Sequence, residues 1–442
     1  MSNKAGIGTL VNEEHELGTS ALDLFTSPPV ESTQIAGRNQ TIYMLASIND
    51  TGPYEFIIPN DSNEYIQLDQ TTLYGEVEVV KSADGAAIVD ADIVSVVNNF
   101  PQAIFRQVEL YLNNTCVSDL STPTYAYKAY VENHLTYGND IKETSLLAKE
   151  LYLKDTLGKE EDVNEGKHDN TNSCGKRRAK IAGKTLCFNM PLHVDFLYSQ
   201  RYLIPGVEMK IKLIKNDDTF AIFAKDNSYK IKMKKLELNI RRIVVEPEIS
   251  NAIETRLSST PAQYPIACSK IKTFLLNQQV QSQHISQIIR GKLPRSYIIS
   301  FVSAKAYDGA HNKNPFVFKH FDLNYMNVFI NGEPVHAKAI QPDWDGDKYL
   351  PQYDWLLKNT GLHQNHSNGI TMEEFKANSV FFAYDRSPDL CNSVYKHPED
   401  QGVIDISVSF KTPLPENVYL MIFATYDETV LIDNLRNVSI SQ

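Results

Sequence analysis

Cysteine is scarce in this 442-residue chain, and what there is does not cluster. The five are Cys116, Cys174, Cys187, Cys268 and Cys391, odd in number and with no Cys-x-x-Cys pair. A disulfide framework and a cysteine zinc site are therefore not expected, and a reducing compartment is. A basic excess is missing too: 43 Lys+Arg against 54 Asp+Glu leave a formal charge of −11. Proteins that coat nucleic acid through bulk charge carry the opposite sign, so neither bulk nor sequence-specific nucleic-acid binding is expected. The charge does favour solubility. No stretch reaches the ~18 apolar residues of a membrane-spanning helix. The N-terminus lacks a charged start followed by an apolar run, so no signal peptide is expected. Without one, the sequons at Asn113-Asn114-Thr115 and Asn437-Val438-Ser439 carry little weight. The expectation is a soluble protein made inside a cell.

Catalytic motifs are also lacking. Ala182 to Thr185 spells the end of a phosphate-binding loop, but Arg178 stands where the loop needs its first glycine. Asp343, Asp345 and Asp347 are spaced like calcium ligands. An EF-hand loop needs Gly where Lys348 stands and Glu where Asp354 stands, so a charged turn is the better reading. His363 and His366 lie in a polar stretch without the His-x-His spacing or nearby Glu of a metal cupin. No Gly-x-Ser-x-Gly elbow occurs. No catalytic, cofactor-binding or metal residue is assigned, no cofactor is implied, and an enzyme is not expected.

What is present is material for strands. Apolar residues make up 42% of the chain, with 23 Tyr and 19 Phe, enough for real cores and for β-structure. The length predicts two or three domains. Residues 1–50 are poor in strand signals and read as an N-terminal arm, ordered where the island Ala21 to Phe25 docks. Leu73 to Val80 and Arg106 to Leu112 alternate with the period of half-buried strands. Tyr127, Val131 and Leu135 are spaced for a helix that Gly138 would cap. Residues 155–180 are polar and read as a surface loop. The apolar phase changes near Lys234-Lys235, which predicts a β-bulge. Residues 246–263 read as a helix or linker.

In the second half, Ser296 to Val302, Phe321 to Ile330, Val403 to Phe410 and Val418 to Tyr426 are strand-like. The last is apolar on both faces, so both must be covered. Two basic stretches remain: Lys176, Arg177, Arg178 and Lys180, and Lys230 to Lys235 with Arg241 and Arg242. A solvated face is the simpler reading of both, a nucleic-acid or acidic neighbour the other.

The halves repeat. Val108 to Val117 aligns with Met326 to Val335 at a shift of 218 residues: alternating strand, Asn-led turn, Val. An aromatic-rich helical stretch follows each, ending at Gly138 and at Gly361. One β-domain used twice explains this, and an all-β pair of fused eight-stranded antiparallel sandwiches, a double jelly roll with short helical insertions, is the fold class expected. Boundaries are placed at 51–245 and 264–442, with 246–263 between.

Five segments carry a family resemblance: Ala21 to Ile35, Asn63 to Val80, Thr124 to Gly138, Met190 to Ile214 and Asn314 to Val335. With Asn378 to Leu390 and Ile432 to Val438, they resemble the major capsid proteins of Maverick/Polinton elements and adintoviruses. The match runs from about residue 20 to the C-terminus. The resemblance implies a double jelly roll similar to the adenovirus hexon, a homotrimer of pseudo-hexagonal outline, and an icosahedral virion shell assembled in the host cell. Its partners would be neighbouring capsomers and a penton or minor capsid protein. A two-domain binding module such as a lectin is the alternative.

Overall fold

The computed structural model describes residues 32–60, 63–89, 91–119, 123–162, 172–336, 338–360, 367–388, 390 and 398–441. The first half carries β1 (Gln34–Tyr43), β2 (Tyr54–Ile58), β3 (Tyr65–Lys81), β4 (Val94–Val96) and β5 (Phe105–Leu112). It continues with β6 (Thr115–Cys116), β7 (Leu186–Pro191), β8 (Met209–Lys215), β9 (Ile222–Ala224) and β10 (Tyr229–Val245). The second half carries β11 (Ala262–Leu276), β12 (Ser282–Lys292), β13 (Ser296–Ser303), β14 (Leu323–Ile330) and β15 (Glu333–Pro334). Then come β16 (Phe382–Asp385), β17 (Gln401–Phe410), β18 (Val418–Ile432) and β19 (Val438–Ser441). The helices that matter below are α1 (Tyr125–Thr136), α2 (Ser173–Ile181), α3 (Pro247–Leu257), α4 (Leu350–Asn359) and α5 (Met372–Ala377).

The sheet orders state the architecture. The first half has sheets β1-β10-β3-β7 and β2-β8-β5-β6; the second has β11-β18-β13-β16 and β12-β17-β14-β15. Strand by strand and in chain order, the second pair of sheets copies the first. Two eight-stranded antiparallel sandwiches result, so the chain is a double jelly roll. Extra pieces are the β4-β9 pair and β19, which extends the sheet along β18.

The repeat holds at the level of single hydrogen bonds. Leu112 pairs with Thr115 and Ile330 with Glu333, closing two-residue turns. Asn113 (φ 44°) and Asn114 (φ 69°) are both left-handed, as are Asn331 (φ 53°) and Gly332 (φ 85°). That conformation suits the twist of a hairpin and favours Asn and Gly. Val117 N donates to Leu110 O at 2.9 Å, and Val335 N to Val328 O at 2.9 Å. Asn113 exchanges two bonds with the Glu208 backbone, N to O at 3.0 Å and Oδ1 from N at 2.8 Å. Asn331 does the same with Val403, both at 2.9 Å. The leading Asn of each turn thus supplies both the left-handed backbone and a clamp on the neighbouring strand.

The other strand signals resolve as sequence periodicity predicts. Leu73, Val77 and Val79 of β3 are buried, and Glu76 and Glu78 are not. Gly75 on the same strand leaves room for Phe188, whose Cζ would lie 2.2 Å from an added Cβ. On β10 the register slips between Met233↔Val77 and Lys235↔Glu76, so Lys234 is the extra residue of a bulge. Ile231 and Met233 before it, and Leu236, Leu238 and Ile240 after it, are all buried. On β18 both faces are covered: Leu420 to Ala424 are buried, and the Tyr419 ring packs on Tyr307 at 4.5 Å.

Three expectations need correction or relocation. Gly138 is not a left-handed cap: its φ is −75°, and α1 ends at Tyr137 in extended backbone. Space is the reason for a glycine there, since a Cβ would meet Asp140 Oδ1 at 2.8 Å and Ser367 O at 3.1 Å. Residues 155–180 are not all surface loop, because α2 lies there with Arg177 and Arg178 buried. Within the 1–50 stretch, residues 34–43 form β1, paired along β10 from Val245 to Glu237. The island Ala21 to Phe25 lies outside the described residues. Helix α3 occupies 247–257, between the two rolls in sequence.

Candidate functional site

The densest side-chain chemistry lies where the two rolls meet. Tyr127 and Tyr130 sit one turn apart on α1, on one face of the helix. Tyr127 stacks on Tyr307 at 5.4 Å and meets the edges of Phe316 at 5.8 Å and Phe318 at 6.3 Å. Tyr130 stacks on Phe316 at 4.3 Å. The three partners belong to the β13–β14 connection of the second roll. Each such pair contributes about 0.5–1.5 kcal/mol beyond its burial.

Polar links run alongside the rings. Arg177 donates to Val96 O at 2.8 Å, Leu153 O at 2.7 Å and Asp155 Oδ1 at 2.5 Å. The other Asp155 oxygen accepts from Asn314 Nδ2 at 2.8 Å, which carries the chain of bonds into the second roll. Lys313 and Lys319 share Glu161, at 3.2 and 2.5 Å. His134 lies 2.7 Å from Tyr152 OH and 3.0 Å from Ser379 Oγ; burial holds its pKa well below the usual histidine range, with Lys142 and Lys154 adding to the effect. Lys142 donates to His134 O at 2.6 Å and to Asn368 O at 2.5 Å. Burial, with Lys154 adding repulsion, brings the Lys142 ammonium down to about 7. A neutral amine keeps two N–H groups, which matches the two carbonyls it faces. Lys154 in turn pairs with Glu374 at 3.2 Å.

A second group of contacts joins the 192–208 connection to β11 and the turn after β18. Asp195 pairs with Lys128 at 2.7 Å and accepts from Ser269 N at 3.2 Å. Tyr264 OH donates to Tyr202 O at 3.0 Å and accepts from Ile204 N at 3.2 Å. Arg436 donates to Pro205 O at 2.8 Å and pairs with Glu254 at 2.7 Å, while its carbonyl accepts from Asn113 Nδ2 at 2.9 Å. The seam therefore holds the rolls at one angle by rings, ion pairs and backbone bonds together.

His193 Nδ1 lies 2.6 Å from Glu132 Oε2, which also accepts from Tyr198 OH at 3.0 Å. The other ring nitrogen, Nε2, is buried without a hydrogen-bond partner. A groove of about 870 Å³ lies on the second roll, lined in part by Phe321, Tyr349, Met372 and Pro413. On its rim, Lys319 pairs with Glu161 and Lys376 with Asp347.

The residues singled out in the sequence fall as follows. Asp343, Asp345 and Asp347 do not converge; each pairs with a different lysine, Lys348 at 3.6 Å, Lys411, and Lys376 at 2.8 Å. Ala182 to Thr185 trails the C-terminal end of α2 instead of opening a helix, and Thr185 donates to Glu78 at 2.7 Å. Lys232 and Lys234 are exposed on β10 beside the acidic face of β3; Lys234 pairs with Glu78 at 3.0 Å. Arg242 is buried and donates to Gln40, Asn60 and Pro59 O. Cys116, Cys174, Cys187 and Cys268 carry free thiols. His363, His366 and Cys391 lie outside the described residues. Among those described, no helix is long and apolar enough to cross a membrane.

Fold and seam together define a double jelly roll whose halves are locked side by side. No family model matches the chain. Among curated proteins, an uncharacterised protein of Caenorhabditis elegans is 24% identical over 403 residues, covering 87% of this chain and 92% of that one. Among solved structures, a chain of the Sputnik virophage matches with a TM-score of 0.64 at 11% identity, over 96% of this chain and 91% of that one. The mavirus major capsid protein matches with a TM-score of 0.53 at 8% identity, over 96% and 95%. At these identities the likeness is one of fold.

Proposed function

We propose that this chain is a major capsid protein of the Maverick/Polinton and adintovirus kind. It trimerises into pseudo-hexagonal capsomers that tile an icosahedral shell. The observation that carries this reading is the fixed pair of rolls with one strand order. Three such chains supply six similar wedges around a three-fold axis, and closed rings are built from repeated head-to-tail contacts. The fold shared with the mavirus major capsid protein supports it. The role is structural, with no catalytic step. The location is the virion shell assembled in the host cell, and the partners are neighbouring capsomers and a penton or minor capsid protein. The first roll, with β1, runs to Val245, and the boundary with the second falls within 246–263. Light scattering of the purified protein at micromolar concentration tests the reading. The expected mass is three times the 50.0 kDa of the chain; a stable monomer at neutral pH would contradict it.

A further inference from the structure

The contact between the rolls uses different surfaces on its two sides. The first roll presents α1 and the 192–208 connection; the second presents the 304–322 connection, β11 and the turn after β18. A contact of this heterologous kind leaves the opposite surface of each roll unmatched. The common strand order says which surfaces those are. In the second roll, α4 occupies the connection β15–β16, as α1 occupies β6–β7 in the first. In the first roll, residues 82–104 and β1 occupy the places of 304–322 and β11.

Burial follows the same division. Helix α1 buries nine residues, from Tyr125 to Leu135, against the rest of the chain. Helix α4 buries only Leu356 and leaves Leu350 57% exposed, with Trp355 also at the surface. Strand β11 buries Tyr264, Ile266 and Cys268, the first against Phe196 of the other roll at 5.5 Å. Strand β1 buries only Ile42 and leaves Tyr43 69% exposed. In the 82–104 connection Val89 is 52% exposed, with Ala83, Ala86, Ala87 and Ala91 at the surface around it. Apolar surface is thus left over at the two places where the internal contact has its counterparts.

We propose that these surfaces meet between copies: α4 of one chain covers the 82–104 connection of the next, beside β1. The roll-to-roll contact is then made six times in a ring, three times within chains and three times between them. Leu350 and Trp355 take the part of Tyr127 and Tyr130, and Val89 with its flanking alanines takes the part of the 304–322 connection. The inference rests on the trimer reading and adds which surfaces close the ring.

A photo-cross-linking benzoylphenylalanine in place of Leu350, in the full chain, tests it. Irradiation should join the residue to peptides from 82–104 of a second copy. Leu350→Asp and Val89→Asp should each weaken self-association about 100-fold, as loss of a central apolar contact does, with unchanged circular dichroism. Should one variant misfold, the other and the cross-link still decide. A trimeric wild type whose cross-links map elsewhere, or whose trimer survives both substitutions, overturns the inference and leaves the trimer standing. A monomeric wild type overturns both.

Discussion

Lys142 is an ionisable side chain buried in the seam, and its surroundings there decide its proton. Unfolded, it titrates near 10.5; folded, near 7. Between those values the unfolded chain binds a proton that the folded chain has released, so stability rises with pH across the window. Urea midpoints should climb between about pH 7 and about pH 9, and Lys142→Met should flatten the climb. A flat wild-type profile would contradict the placement of Lys142. Arg177 makes the complementary point, since its charge is buried but paired. Arg177→Met strands the Asp155 carboxylate and two carbonyls, and equilibrium unfolding should show a loss of about 3–5 kcal/mol. Adding Asp155→Leu should recover part of it. Neither residue was legible in the sequence. A polar stretch rich in Lys and Arg reads as solvated, and nothing in 155–180 says that Arg177 will find three oxygens. The aromatics of α1 did carry a signal: Tyr125, Tyr127 and Tyr130 point around the helix, as in a helix buried on more than one side.

At the scale of elements, local rules and tertiary contacts divide the work. The strands were legible because one buried face imposes a period of two, and the Lys234 bulge because an extra residue inverts that period. The hairpins were legible because a two-residue turn needs left-handed backbone at both positions. What the sequence concealed is the clamp that each Asn places on the next strand. Its loss should cost alike in both halves. Asn113→Ala and Asn331→Ala should each destabilise by about 1–2 kcal/mol in thermal or urea unfolding, from lost hydrogen bonds and a strained φ. Markedly unequal costs would argue that the two hairpins do not play one role. Gly138 shows the opposite case. Its position after a helix suggested a cap, but the reason for it is the 3.1 Å approach of Ser367 O, a contact made by distant chain.

At the scale of the whole molecule, the doubling was legible in ten aligned residues, because their hairpin is repeated bond for bond. The angle between the rolls was not. It is set by Tyr127 on Tyr307, Asp155 on Asn314 and Arg436 on Pro205 O, pairs separated by more than a hundred residues each. Such pairs leave no periodicity to read. The strand at 34–43 was hidden for a similar reason: β1 is exposed on most of its length, so it lacks the alternation that marks a half-buried strand. The same exposure makes sense if a second copy completes the surface. The most direct test of the account is single-particle electron microscopy of the purified full-length protein at micromolar concentration. Class averages should show a three-fold particle with six lobes of similar size; isolated two-lobed particles would contradict the account.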